Sequence, residues 1–151
     1  MQWYFASRTK YREKINELCN FLRKNDQKIV YDWTDKEPDK VYSNNPDKCS
    51  VISEKISNSL SGVDVFVLIS DKGGTDMFIE MGIAIGCWMC DKNIRIYAVG
   101  KYNNRSMMHH HPAIKRVESL EEVFRRETPE ILGKNLLKIL EKFKKHIGYH
   151  Q

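Results

Sequence analysis

The chain has 151 residues, 41% hydrophobic and 30% charged, which fits a single domain over 1–151 with a full core. No apolar run is long enough to span a bilayer, and the N-terminus shows no signal-peptide pattern, so a cytoplasmic protein with no membrane partner is expected. The net charge of +5 is concentrated on Lys134, Lys138, Lys142, Lys144 and Lys145, which reads as a solvated helix face rather than a track for a nucleic acid polymer; the same surplus suits a small anionic ligand such as a nucleotide.

Residues 2–6 read as a short aromatic strand containing Tyr4, and Ser7, Arg8 and Thr9 as the turn after it. A helix follows to about Lys24, with Tyr11, Ile15, Leu18, Cys19 and Leu22 on one face. Arg8 falls in the first β–α turn, a position that often holds an anionic group; the other reading is a surface arginine. Residues 28–33 form a second strand. Asp32 and Trp33 at its carboxyl end offer a polar contact and a stacking surface for a base, unless Trp33 simply plugs the sheet edge. The polar stretch through Pro46, which includes Pro38, is long for a connection in a compact domain and is either functional or mobile. Residues 47–60 form a helix with Ile52, Ile56 and Leu60 in register, ended by Ser61-Gly62.

The most informative stretch follows. Residues 63–69 are a near-continuous apolar run rich in β-branched side chains, the pattern of a strand covered on both faces. Residues 70–74 break it with turn chemistry, including Gly73 and Gly74, and Thr75 is placed to cap a helix from Asp76. Within that helix Glu80 stands among Met77, Phe78, Ile79, Met81, Ile83 and Ile85. Desolvating a polar group without partners costs about 2–7 kcal/mol, so Glu80 is expected to look into a cleft. It shares a face with Asp76, Ile83 and Ala84 near the helix start, where the dipole favours the ionised form by roughly 0.3–1 kcal/mol. Two readings stand: a nucleophile aimed at a sugar carbon, or a glutamate that complements the helix dipole. Gly82 and Gly86 on the same helix permit close backbone packing, on the sheet or on a second subunit.

Residues 93–99 form the fourth strand, and 100–105 a polar turn. His109, His110 and His111 invite a metal reading, but adjacent residues in extended chain point in alternate directions, so no metal site is expected; one of them reaching a neighbouring site is the alternative. Residues 113–117 form a fifth strand. Ser119 caps a helix to about Arg126, with Glu122 completing a capping box. Pro129 opens a final helix with Leu132, Leu136, Ile139, Leu140, Phe143 and Ile147 on its apolar stripe. The four cysteines, Cys19, Cys49, Cys87 and Cys90, form no disulfide framework. Cys87 and Cys90 close a helix rather than open one, the wrong pole to activate a redox thiolate, and no second pair completes a zinc site. No cofactor is expected.

This order predicts an α/β, doubly wound, five-stranded parallel sheet with helices on both faces. Its ligand crevice should lie at the carboxyl ends of the first three strands, where Ser7, Arg8, Asp32, Trp33 and the turn from Asp71 through Gly73 and Gly74 to Thr75 meet beside Glu80.

Tyr4-Phe5-Ala6-Ser7, Asp64-Val65-Phe66-Val67, Gly74-Thr75 and Glu80-Met81-Gly82-Ile83-Ala84 carry a resemblance that covers the chain to about Arg126. In these residues the sequence resembles the nucleoside 2-deoxyribosyltransferases and the related deoxynucleoside-monophosphate N-glycosidases. The resemblance implies a flavodoxin-like, three-layer α/β/α fold and cleavage of an N-glycosidic bond in a nucleoside or nucleotide, with water or a second base as acceptor. It implies Glu80 as nucleophile, Tyr4 as the tyrosine that orients the site, and Gly74-Thr75 beside the sugar or phosphate. It also implies a homodimer or larger homo-oligomer with a neighbouring subunit closing the pocket. One feature departs from the pattern. The family usually carries an Asp on the helix before the central strand, which binds sugar and protonates the leaving base; Ile56 stands near that place, and Glu54 is the only acid in 53–60. Asp32, Asp71 and Asp76 are the candidate substitutes, with Asp71 taken as the catalytic one; a lost general acid costs about 10²–10⁴-fold. The alternatives are a non-catalytic nucleotide-binding module and an NAD-cleaving glycohydrolase.

Overall fold

The structure is a computed structural model and describes residues 1–35 and 42–147. The six residues 36–41, with Pro38, lie outside the described residues. The regular elements are β1 (Gln2–Ala6), α1 (Arg12–Lys24), β2 (Lys28–Ile29), α2 (Pro46–Leu60), β3 (Val65–Ile69), α3 (Asp76–Asp91), β4 (Arg95–Val99), β5 (Ile114–Val117), α4 (Leu120–Glu127) and α5 (Lys134–Ile147). All strand pairs are parallel, in the order β2-β1-β3-β4-β5. That is a doubly wound α/β sheet consistent with a flavodoxin-like fold.

Strand alternation divides the core into two layers. Trp3 and Phe5 of β1 point with Val65, Val67 and Ile69 of β3 toward α1, α4 and α5. Tyr4, Ala6, Phe66 and Leu68 point the other way, toward α2 and α3. β3 is buried at every position, as its unbroken apolar run requires. The register sets Tyr4 opposite Phe66, with the two rings stacked 5.7 Å apart. The parity of β1 therefore decides that Tyr4 faces the same layer as Glu80. Among the described residues no helix is long and apolar enough to cross a membrane.

The structure departs from the sequence expectations at several ends. β2 pairs over two residues only, and Trp33 opens a 3-10 turn instead of ending the strand. The Asp32 carboxylate explains this: it accepts from the backbone N–H of Thr34 at 2.9 Å and bends the chain out of the sheet. Thr75 occupies the N-cap of α3, but its side chain makes no cap hydrogen bond. α5 begins at Lys134 rather than at Pro129, which opens a separate 3-10 turn ahead of Gly133. Gly82 and Gly86 are exposed, and an added Cβ on either meets nothing within 4 Å, so they do not pack on the sheet. The histidine run is not extended: Met107–His110 is a 3-10 turn. His109 is fully buried, with Nδ1 accepting from the Ser106 N–H at 3.3 Å and Nε2 3.2 Å from Ser70 Oγ. That pattern fixes the neutral tautomer, in keeping with a pKa lowered by burial. The ring packs edge-on against Phe78 and ties this turn to the end of β3 and the start of α3.

Candidate active site

A cavity of about 470 Å³ lies beyond the carboxyl ends of β1 and β2, between α2 and α3. Ser7, Thr9 and Arg12 enter it from the β1–α1 connection, and Tyr31 and Trp33 from the chain after β2. α2 contributes Cys49, Ser50, Ile52, Ser53, Ile56 and Ser57. α3 contributes Asp76, Met77, Ile79, Glu80 and Ile83, and Tyr42 lies at the rim, 56% exposed.

Glu80 is partly buried, with its carboxyl on the cavity wall. Burial is the largest influence on it and pushes its pKa up to about 7; Asp76, one helical turn earlier, adds like-charge repulsion, and Tyr4 opposes both. The Tyr4 hydroxyl is fully buried beside this carboxyl, and its own pKa is raised by burial and by Glu80. It makes no hydrogen bond of regular geometry. Tyrosine and glutamate are thus close neighbours without a hydrogen bond of regular geometry between them. Tyr42 lies beside Asp76 at the rim, and burial and the Asp76 charge raise its pKa.

Asp71 occupies the opposite environment. It is 2% exposed and does not line the cavity. Lys10 Nζ lies 2.6 Å and Arg8 Nη1 3.1 Å from its two carboxylate oxygens. The Tyr11 hydroxyl donates at 3.1 Å and the Gly73 N–H at 3.0 Å. Arg105 donates to its backbone carbonyl at 3.1 Å. Against the burial, these donors hold its carboxyl well below the usual aspartate range. A carboxylate held ionised by two cations has no proton to give a leaving base, and its place outside the cavity separates it from Glu80.

Of the other residues singled out in the sequence, Ser7 and Trp33 line the cavity with Glu80, and Tyr4 lies beneath it. The Trp33 indole N–H donates to the Phe5 carbonyl at 2.8 Å, which fixes the ring at the mouth of β1. Arg8 does not line the cavity; its guanidinium lies over Gly73, where an added Cβ would sit 3.2 Å from Nη1. Asp32 is held by Arg23 and Thr34, also off the cavity wall. Gly73, Gly74 and Thr75 stand outside it too; Gly74 has φ +101°, a conformation that favours glycine, so its role in the turn is conformational.

Sequence reasoning passed over Arg12, Tyr31, Tyr42 and the α2 hydroxyls. Arg12 is placed by its Nε, which donates to the Thr34 carbonyl at 2.8 Å across the β1–β2 gap. The serines carried a usable signal: Ser50, Ser53 and Ser57 repeat at i, i+3 and i+7, one face of a helix. The protons of two of them are engaged within α2, Ser53 Oγ donating to the Ser50 carbonyl at 2.9 Å and Ser57 Oγ to the Ser53 carbonyl at 2.8 Å. Lone pairs remain to accept from a ligand hydroxyl. Among the described residues no group of three or more His, Cys, Asp or Glu is placed to hold a metal ion.

No family model matches the sequence, and no curated protein matches it. Among solved structures, the chain is similar to Clostridium botulinum CMP N-glycosidase, BcmB, with a TM-score of 0.52 and 12% sequence identity over 78% of this chain and 88% of that one. At that identity the likeness is one of fold.

Proposed function

We propose that the chain cleaves the N-glycosidic bond of a nucleoside or nucleotide, with Glu80 as the nucleophile. The observation that carries this reading is a largely desolvated carboxyl on the wall of a ligand-sized cavity, with a buried tyrosine hydroxyl beside it and, among the described residues, no cation paired with it. A structural glutamate on an apolar helix finds a salt bridge or turns to solvent; this one is partly buried and has no salt bridge among the described residues. Its raised pKa keeps the carboxylate strongly nucleophilic once ionised, and Tyr4 stabilises that ionised form. The fold shared with a CMP N-glycosidase supports the same class of bond.

In this reading Tyr31 and Trp33 take the base, the α2 serines accept from sugar hydroxyls, and Ser7 and Arg12 meet the far end of the sugar or its phosphate. Ionised Glu80 attacks the anomeric carbon as the carbon–nitrogen bond breaks, and the glycosyl-enzyme passes to water or to a second base. The test is incubation with nucleosides, their 5′-monophosphates and NAD, with released base read by chromatography. Base release by the wild type and none by Glu80→Gln is the expected result. Ligand binding by both proteins without base release would make the chain a non-catalytic nucleotide-binding module instead.

A further inference from the structure

We propose that the cavity is built for an N-glycoside whose base carries a formal positive charge at the glycosidic nitrogen, a pyridinium such as that of nicotinamide riboside or its 5′-monophosphate. The proposal rests on the Glu80 reading and says which leaving group that nucleophile can displace.

The first ground is the distribution of acids. Among the described residues lining the cavity, Asp76 and Glu80 are the carboxyl groups, and both belong to α3, one turn apart. Glycosidases that protonate their leaving group place the two carboxyls on either side of the scissile bond. Here the wall supplied by α2 presents Ser50, Ser53 and Ser57 between Ile52 and Ile56. Two of those hydroxyls already donate to carbonyls of their own helix. The rim tyrosine Tyr42 lies beside Asp76. Asp32 and Asp71 are ion-paired elsewhere. Among the described residues, no carboxyl group stands on that side of the cavity to hand a proton to a departing base.

The second ground is what the walls offer instead. Tyr31, Trp33 and Tyr42 bring three aromatic rings to a cavity that also holds two carboxyl groups. π-faces together with carboxylates attract a cationic heterocycle and give a neutral one no comparable advantage. A cation bound beside Glu80 also draws that carboxyl toward the ionised form that attacks, against the burial that holds its proton.

The bond changes balance without an acid. A carboxylate oxygen of Glu80 bonds to the anomeric carbon as the carbon–nitrogen bond breaks. The electron pair of that bond returns to the positively charged ring nitrogen, and the base leaves neutral. Water then attacks the glycosyl ester, its proton passes to solvent, and Glu80 is regenerated. A neutral pyrimidine or purine leaving by the same route would depart as an anion.

The experiment compares nicotinamide riboside and its 5′-monophosphate with uridine, cytidine, adenosine and their 5′-monophosphates, each rate divided by the uncatalysed rate of the same compound. The proposal expects an enhancement for the pyridinium substrates about 10²–10⁴-fold above that for the neutral ones, the span a general acid is worth. It also expects a pH profile for nicotinamide release that rises once, through the ionisation of Glu80, and stays level. Equal enhancement for the neutral compounds, or a bell-shaped profile, overturns the proposal while leaving Glu80-dependent cleavage standing. Absence of base release from every compound, or release that survives Glu80→Gln, overturns the nucleophile reading and this proposal with it.

Discussion

Asp71 and Glu80 are nine positions apart at the same end of the sheet, and the protein treats their carboxyl groups in opposite ways. Asp71 is buried but surrounded by Lys10, Arg8, the Tyr11 hydroxyl and the Gly73 N–H, so burial is outweighed and its pKa falls. Glu80 is partly buried beside Tyr4 with no cation paired to it among the described residues, so burial dominates and its pKa climbs to about 7. Desolvation acts on both; what differs is whether the fold supplies compensating charge. The compensated carboxylate ties the β1–α1 and β3–α3 turns together. The uncompensated one is left on a cavity wall, which is where perturbed groups mark chemistry.

The largest expected consequence is on activity. Glu80→Gln should lower base release by at least ~10³-fold, as loss of a nucleophile does, measured under single-turnover conditions. Asp71→Asn should leave the chemical step within a few-fold of wild type once the protein is folded. If both substitutions abolish activity equally, the contrast between the two carboxyls is wrong.

Stability should separate them in sign as well. The folded pKa of Glu80, about 7, lies above its ordinary value of 4.5. The protonated group is therefore the one the fold prefers. Its favourable contribution is complete below pH 4.5 and is lost as pH rises through about 7. Glu80→Gln should be more stable than wild type by up to roughly 3 kcal/mol at pH 8 in urea denaturation, with the gap closing toward pH 4.5. Asp71 runs the other way: its folded pKa lies below 3.8, so its contribution is present above that value and lost as pH falls further. Asp71→Asn should cost about 2 kcal/mol at neutral pH, since its partners Arg8 and Lys10 are 39% and 46% exposed and partly screened. That cost should shrink in acid.

The smallest effect sharpens the Glu80 side. Tyr4→Phe removes a buried hydroxyl that lacks a regular hydrogen bond, so stability should change little. The hydroxyl lowers the Glu80 pKa, so its loss should move the rising limb of the pH–rate profile to higher pH. An unmoved limb would mean that Tyr4 is only a core residue.

The fold was largely legible because β3 and its flanking helices alternate without ambiguity, and the apolar run 65–69 allows a fully buried strand only. Glu80 was legible for the same reason: one acid in an apolar helix has to be accounted for. The rest of the site depends on contacts across the sequence. Arg8 and Asp71 sit 63 positions apart, and nothing local in either says they will pair and leave the cavity. Asp32 has an aspartate's usual turn chemistry, but only the structure shows that its bond to Thr34 ends β2 early and swings Trp33 onto the cavity wall. Residues from α2 reach the site because that helix lies against α3, a packing choice that its serine periodicity hints at without fixing.

The most direct test of the central claim is mass spectrometry of the intact and digested protein after incubation with a 2′-fluoro-arabinosyl nicotinamide nucleoside, whose fluorine slows release of the glycosyl group from the enzyme. A single added glycosyl mass on the peptide carrying Glu80, absent from Glu80→Gln, is the predicted result. Base release with that peptide unmodified, or a label on a different residue, would contradict it.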